Sequence, residues 1–170
     1  QLMDEKKWNP KAVLAHISQA KNQLMNAEAY SSMVHNLFTE KVGVLYKLYQ
    51  KRLAQNQALD FDDLLMKTVE LFEKFSEVLE LYQDRYRYIS VDEYQDTNHA
   101  QYVLIKRLAE KHRNLCVIGD PDQSIYSWRG ANLQNILDFE KDYPEARIIK
   151  LEQNYRSTAL ILDAAHAVID

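Results

Sequence analysis

The sequence predicts an α/β fold, a parallel sheet with flanking helices, preceded by an all-helical subdomain, and three observations carry that prediction. Residues 1–57 place apolar side chains at helical spacing and contain no alternating β-prone run. Beyond residue 58, short β-prone runs alternate with helical patterns, as in strand–crossover–strand units whose strands lie parallel. Each of those runs ends in a polar cluster, and in a parallel sheet all such ends share one edge. With only 3 Gly and 3 Pro in 170 residues, and no low-complexity tract or internal repeat, the chain reads as helix-rich.

Pro10, after Asn9, suits the first turn of a helix that Val13, Leu14, Ile17, Leu24 and Met25 continue. A second apolar group, Val34, Leu37, Phe38, Val42, Leu45, Tyr46, Leu48 and Tyr49, extends the helical pattern to residue 54. The character changes near Asn56. Asp60 is a candidate N-cap, with Asp62 and Asp63 in the favourable first turn of a helix carrying Leu64, Leu65, Thr68, Leu71, Phe72, Phe75, Val78 and Leu79. A strand follows at residues 88–91. Asn98 and Gln101 form a capping-box pattern that opens a helix to residue 111. Residues 115–119 form a second predicted strand, ended by Pro121, which cannot continue a ladder. Asn132 caps a predicted helix to residue 141, residues 146–151 read as a third strand, and a last helix starts at residue 158.

The net charge of −4 hides an asymmetry: residues 1–57 carry 8 Lys/Arg against 4 Asp/Glu, and residues 58–170 carry 13 against 21, giving +4 and −8. A positive surface of that size suits an anion or an ordinary solvated helix face. The lone Cys116, inside the apolar run Leu115-Cys116-Val117-Ile118, is expected to be a buried structural thiol, which argues against a disulfide or zinc framework. There is neither an apolar run of membrane-spanning length nor a signal-peptide pattern, so no membrane partner and a cytoplasmic location are expected.

The chemistry lies in the clusters after the strands. Asp92 and Glu93 follow the first β-prone run, where one carboxylate can hold a hard divalent cation through oxygen and the other can polarise a water. The same dipeptide also suits a solvated turn or helix cap. The second cluster runs from Gly119 through Gln123, Tyr126, Trp128 and Arg129 to Ala131, and the third is Gln153-Asn154-Tyr155-Arg156-Ser157. Convergence of metal-type carboxylates, a Gln and an Arg on one edge is what phosphoryl transfer from a nucleotide needs. Trp128, beside Tyr126 and Arg129, either stacks on unpaired bases or pins its loop onto the core.

These clusters resemble helicase motifs II, III and IV of the UvrD/PcrA/Rep group of superfamily 1, in the family's order and at matching spacing. Leu59-Asp60-Phe61-Asp62-Asp63-Leu64 resembles a further family segment upstream of motif II. The resemblance implies a partial RecA-like parallel sheet that uses ATP and Mg²⁺. It assigns Asp92 to the metal and Glu93 to the role of general base. Gln123 would contact the γ-phosphate and couple it to the DNA site, Tyr155 would pack on the adenine and Arg156 would act as an arginine finger. Tyr126 and Trp128 would stack on single-stranded DNA, and Arg129 would pair beside motif II. The family moves 3′ to 5′ along one strand and unwinds duplex DNA.

The departures matter as much. No Gly-x-x-x-x-Gly-Lys-Ser/Thr phosphate loop occurs, so the resemblance implies a piece of a helicase that does not hydrolyse ATP alone. In that reading residues 1–57 are an inserted helical subdomain, 58–157 the second half of the first motor domain, and 158–170 the first helix of the next. Its partners would be single-stranded and duplex DNA and the missing parts of a longer protein. Two rival readings are a single-stranded DNA-binding module without hydrolysis and a metal-dependent phosphohydrolase using Asp92, Glu93 and Asp96. In the family's sheet the strand before the phosphate loop lies between the strands at 115–119 and 147–151. Its absence here predicts that those two strands pair directly or that a second copy fills the slot by strand swapping, which would displace Tyr155 and Arg156 relative to Asp92.

Overall fold

The protein is described by a computed structural model over residues 9–33, 36–127 and 130–169. Helix α1 (Pro10–Asn22) begins where the Asn9 side chain accepts a hydrogen bond from the Lys11 N–H and Pro10 fills the first turn. The helical pattern through Met25 is interrupted: Leu24 takes a left-handed φ of 57°, and Asn26 caps a separate α2 (Ala27–Ser32). Helix α3 (Leu37–Gln55) opens on a reciprocal capping box between Asn36 and Thr39; the Val34 assigned to it from the sequence lies outside the described residues. Val13, Ile17, Ala20, Ala27, Val42 and Tyr46 form the core of these helices. The Tyr46 hydroxyl donates to the Met25 carbonyl at 3.0 Å, which satisfies a phenol that has left solvent completely.

Helix α4 (Phe61–Lys74) opens on the expected Asp60 cap, with the Asp63 carboxylate accepting the Asp60 N–H in return, and buries Met66, Val69 and Phe72. The single helix expected to continue through Leu79 breaks at Phe75 (φ −131°, ψ 87°), and α5 (Ser76–Arg85) starts afresh. The break lets α5 fold back, so that Phe72 meets Tyr82 and the buried Gln83 amide donates to the Arg107 carbonyl at 2.7 Å.

The helical segment and α4 are tied by a buried charge cluster. Lys21 Nζ lies 2.7 Å from Asp60 Oδ2 and 2.9 Å from Asp63 Oδ1, with Lys21 and Asp63 at zero exposure. Tyr49 donates to Asp60 and Gln50 donates to Asp63. Burial alone would raise the Asp60 carboxyl, but its bond from Lys21, the Asp63 N–H and the Lys21 charge together hold it below the ordinary carboxylate range. Burial, with the bond to Asp60 second, pushes the Tyr49 hydroxyl up to about 12.

Strands β1 (Ile89–Val91) and β2 (Leu115–Val117) pair in parallel, with Ile89 opposite Leu115 and Val91 opposite Val117. Helix α6 (His99–Ala109) is the crossover between them and opens on the expected Asn98–Gln101 capping box. The pairing runs on past β2: the Ile118 N–H donates to the Val91 carbonyl at 2.8 Å, and the Tyr94 N–H donates to the Ile118 carbonyl at 3.0 Å. The molecule is thus mostly helical, with a two-stranded parallel sheet. Among the described residues no helix is long and apolar enough to cross a membrane.

Three expectations fail here. Cys116 is exposed, because it is the middle residue of β2 and faces away from the side on which Leu115 and Val117 pack. The helix expected over 132–141 is divided at Asp138 into α7 (Gln134–Leu137) and α8 (Phe139–Asp142), and the division turns Phe139 onto Tyr94 and Tyr143, at ring distances of 5.8 and 4.9 Å. The third strand does not form. Residues 147–151 take no regular secondary structure and are exposed, with Leu151 at 86%, and make no ladder with β2, so the expected direct closure of the sheet does not occur. Without a neighbouring strand, their amides are better left in water than buried unpaired. Helix α9 (Ala159–Ile169) follows.

Candidate functional site

The chain leaves β1 at Val91 and turns at once. Asp92 is exposed, and its Oδ1 accepts the Glu93 N–H at 2.9 Å. Glu93 adopts a left-handed backbone (φ 51°, ψ 42°), a conformation uncommon for a residue with a side chain, and leads into a 3₁₀ turn over Tyr94–Asp96. The turn is anchored from below: Tyr94 is 1% exposed, packed edge-on against Phe139, and bonded through its N–H to the end of the second strand. Burial raises the Tyr94 hydroxyl well above its usual range. The two carboxylates therefore stand at the solvent edge of a fixed turn.

The second cluster meets the first through Gln95. Its Nε2 donates to Glu93 Oε2 at 2.7 Å, and its Oε1 accepts the Asp120 N–H at 3.1 Å. Asp120 in turn accepts the Asp122 N–H through Oδ1 at 3.0 Å and Gln123 Nε2 through Oδ2 at 2.7 Å, which shapes a 3₁₀ turn over Pro121–Gln123. Thr97 adds a further tie: its carbonyl accepts from the Asn132 N–H and from Asn135 Nδ2, both at 3.0 Å. Asn98 Nδ2 donates to Asn22 Oδ1 at 2.9 Å and connects the site's helix to α1.

Asp92, Glu93 and Gln123 are thus brought to one edge, as the strand-end argument expects. Tyr126 lies in the following loop at 38% exposure, where its carbonyl accepts the Ala131 N–H and Gly130 takes φ 86°. Trp128 and Arg129 lie outside the described residues. Tyr155, 92% exposed, and Arg156 sit in the chain before α9, where Asn154 Oδ1 accepts the Arg156 and Ser157 N–H groups. Among the described residues no hydrogen bond or ion pair joins those two side chains to Asp92, Glu93 or Gln123. Two contributors escaped the sequence reading: Gln95, which was not separated from the rest of its cluster, and Asp120, whose Asp-Pro context signals a turn but not a bridge.

Among the described residues no group of three or more His, Cys, Asp or Glu is gathered into a metal cage. Asp92 still fits a hard cation of the Mg²⁺ type, which keeps several waters and takes one or two carboxylates, since it is exposed and only its Oδ1 is engaged by the backbone. Asp96 Oδ1 is buried without a hydrogen-bond partner among the described residues.

Comparison with known proteins adds a family to this geometry. The UvrD/REP helicase N-terminal domain family matches residues 1–144. ATP-dependent DNA helicase PcrA of Bacillus subtilis is 57% identical over 167 residues, 98% of this chain and 23% of that protein. The PcrA proteins of Staphylococcus aureus and Staphylococcus epidermidis are 56% and 55% identical over the same length. The chain therefore spans about a quarter of the length of the relatives it matches.

Proposed function

This chain belongs to the UvrD/REP helicase N-terminal domain family, and from that premise we propose that it is a motor segment of an ATP-dependent DNA helicase. Such a protein couples ATP hydrolysis to movement on single-stranded DNA and to the unwinding of duplex. The observation that carries the reading is the meeting of Asp92, Glu93 and Gln123 at the ends of two parallel strands, tied through Gln95 and Asp120. Asp92 would hold Mg²⁺, which when bound offsets the charge of the nucleotide phosphates. Glu93 would take the proton of the attacking water, and Gln123 would meet the γ-phosphate. Tyr155 and Arg156, exposed here, would close on the nucleotide as adenine platform and arginine finger, while Tyr126 and Trp128 would stack on unpaired bases.

The finer architecture follows the same proposal. Residues 1–57 are an inserted helical subdomain, 58–157 the second half of a RecA-like motor domain, and 158–170 the first helix of the next, in a cytoplasmic protein. Residues 147–151 would gain their ladder when another strand, from the rest of a longer protein or from a second copy, enters beside β2.

Steady-state ATP turnover tests this. No phosphate-cradling glycine loop and lysine occur within these 170 residues, so the chain alone is expected to release no phosphate from Mg²⁺-ATP, with or without DNA. The longer protein proposed to carry it is expected to turn ATP over and to do so faster with single-stranded DNA. Binding of DNA without any turnover by the longer protein would favour a non-hydrolysing DNA-binding module. Metal-dependent phosphoester cleavage without ATP would favour a phosphohydrolase built on Asp92, Glu93 and Asp96.

A further inference from the structure

Gln95 enters the reading above only as a tie between the two clusters, yet both ends of its side chain are engaged at 1% exposure. We propose that Gln95 is a positioning residue that locks the Glu93 carboxylate to the Gly119–Gln123 loop, so that a change at Glu93 is carried through Asp120 to Gln123. The proposal rests on the nucleotide-site reading for its functional meaning, while its structural content stands on contacts alone.

The amide is directional. Its N–H₂ faces a carboxylate oxygen that can only accept, and its carbonyl faces a backbone N–H that can only donate. Flipping the amide would set oxygen against carboxylate and N–H against N–H, so a single orientation is allowed. A hydrogen bond to an ionised group is also stronger than one between neutral groups. The loop is held close as well as bonded: a Cβ at Gly119 would lie 2.6 Å from Gln95 Oε1 and 2.9 Å from Ile136 Cδ1, so only glycine admits this approach. Asp120 then passes the constraint on, since its carboxylate holds both the Asp122 N–H and the Gln123 amide. Glu93 sits in a left-handed conformation that persists only where its surroundings over-determine it, and Gln95 is one of those surroundings. The outcome is an unbroken path from the carboxylate at the end of β1 to the amide after β2.

Two measurements decide the proposal. In the 170-residue chain, the Asp120 backbone amide and the Gln123 side-chain amide are followed by NMR on introducing Glu93→Ala, first with Gln95 present and then in a Gln95→Met background. Gln95→Met keeps the length and removes both bonds. Both resonances are expected to move in the first case and to stay in place in the second. Equal movement in both backgrounds, or none with Gln95 present, overturns the proposal. Should Gln95→Met not give a folded spectrum, Gln95→Ala, which removes both bonds and leaves room for water to meet the groups left behind, serves in its place with the same outcomes. In the longer protein, Gln95→Met is expected to lower the stimulation of ATP turnover by single-stranded DNA about tenfold or more while changing KM for ATP by less than about twofold. Equal loss with and without DNA overturns the coupling role. An unmodified longer protein that turned over no ATP would contradict the nucleotide-site reading, and the NMR comparison would still decide what Gln95 does.

Discussion

Gly119 sits where any side chain would collide with Gln95, whose amide bridges the two strand ends. The contact at 2.6 Å is with the tip of a side chain, which would ordinarily swing aside, but Gln95 is buried and bonded at both ends. Gly119→Ala must therefore break a bond or push the loop away, and the Tyr94 backbone nitrogen, 3.3 Å from the same Cβ, leaves little room for a shift. The expected cost is about 1–3 kcal/mol in urea-unfolding free energy. An unchanged midpoint would mean that Gln95 moves freely. Asp92, Glu93 and Gln123 are legible in the sequence because strand ends collect polar residues on one edge. Gln95 is not, since no spacing rule says that the side chain of a 3₁₀ turn folds back beneath it.

At the scale of elements, the junction between the helical segment and α4 depends on Lys21. Removing one member of a buried ion pair strands the other, so Lys21→Met leaves Asp63 charged at zero exposure and is expected to cost about 3–5 kcal/mol. The pH dependence supplies a second readout. Asp60 lies below its ordinary value in the folded chain, so its contribution is present above the unfolded carboxyl pKa of about 3.9 and is lost as pH falls through the lower folded value. In Lys21→Met the Lys21 bond and charge are lost while the bonds from the Asp63 N–H and Tyr49 remain against burial, so the contribution of Asp60 is expected to shrink and its pH dependence to flatten. Chemical denaturation between about pH 2 and 5, across the lower carboxyl range, checks both, and parallel curves for the two proteins would refute the assignment. The helix starts were legible because Pro10 marks a first turn and Asp60 and Asn98 announce their caps. The breaks at Phe75 and Asp138 were not, because they follow from where α5 and Phe139 find partners across the fold.

Across the whole molecule, Lys21 belongs to the segment of net charge +4 and its partners Asp60 and Asp63 to the segment of −8, so the two charge characters meet at a seam where one buried ammonium faces two carboxylates. The sheet is the least legible feature. Residues 147–151 have the composition of a strand, but a strand is made by its neighbour, and composition does not reveal whether one is there. Asp92, Glu93 and Gln123 meet at the ends of β1 and β2, whereas among the described residues no hydrogen bond or ion pair joins the Tyr155 and Arg156 side chains to them. The nucleotide-site assignment is best challenged by ATP turnover of the longer protein, with Mg²⁺ and single-stranded DNA, comparing Glu93 with Glu93→Gln. If Glu93 takes the water's proton, kcat falls by about 10²–10⁴-fold while the nucleotide still binds. Turnover within about twofold of the unmodified protein would contradict the assignment and leave Asp92 and Glu93 as a solvated turn.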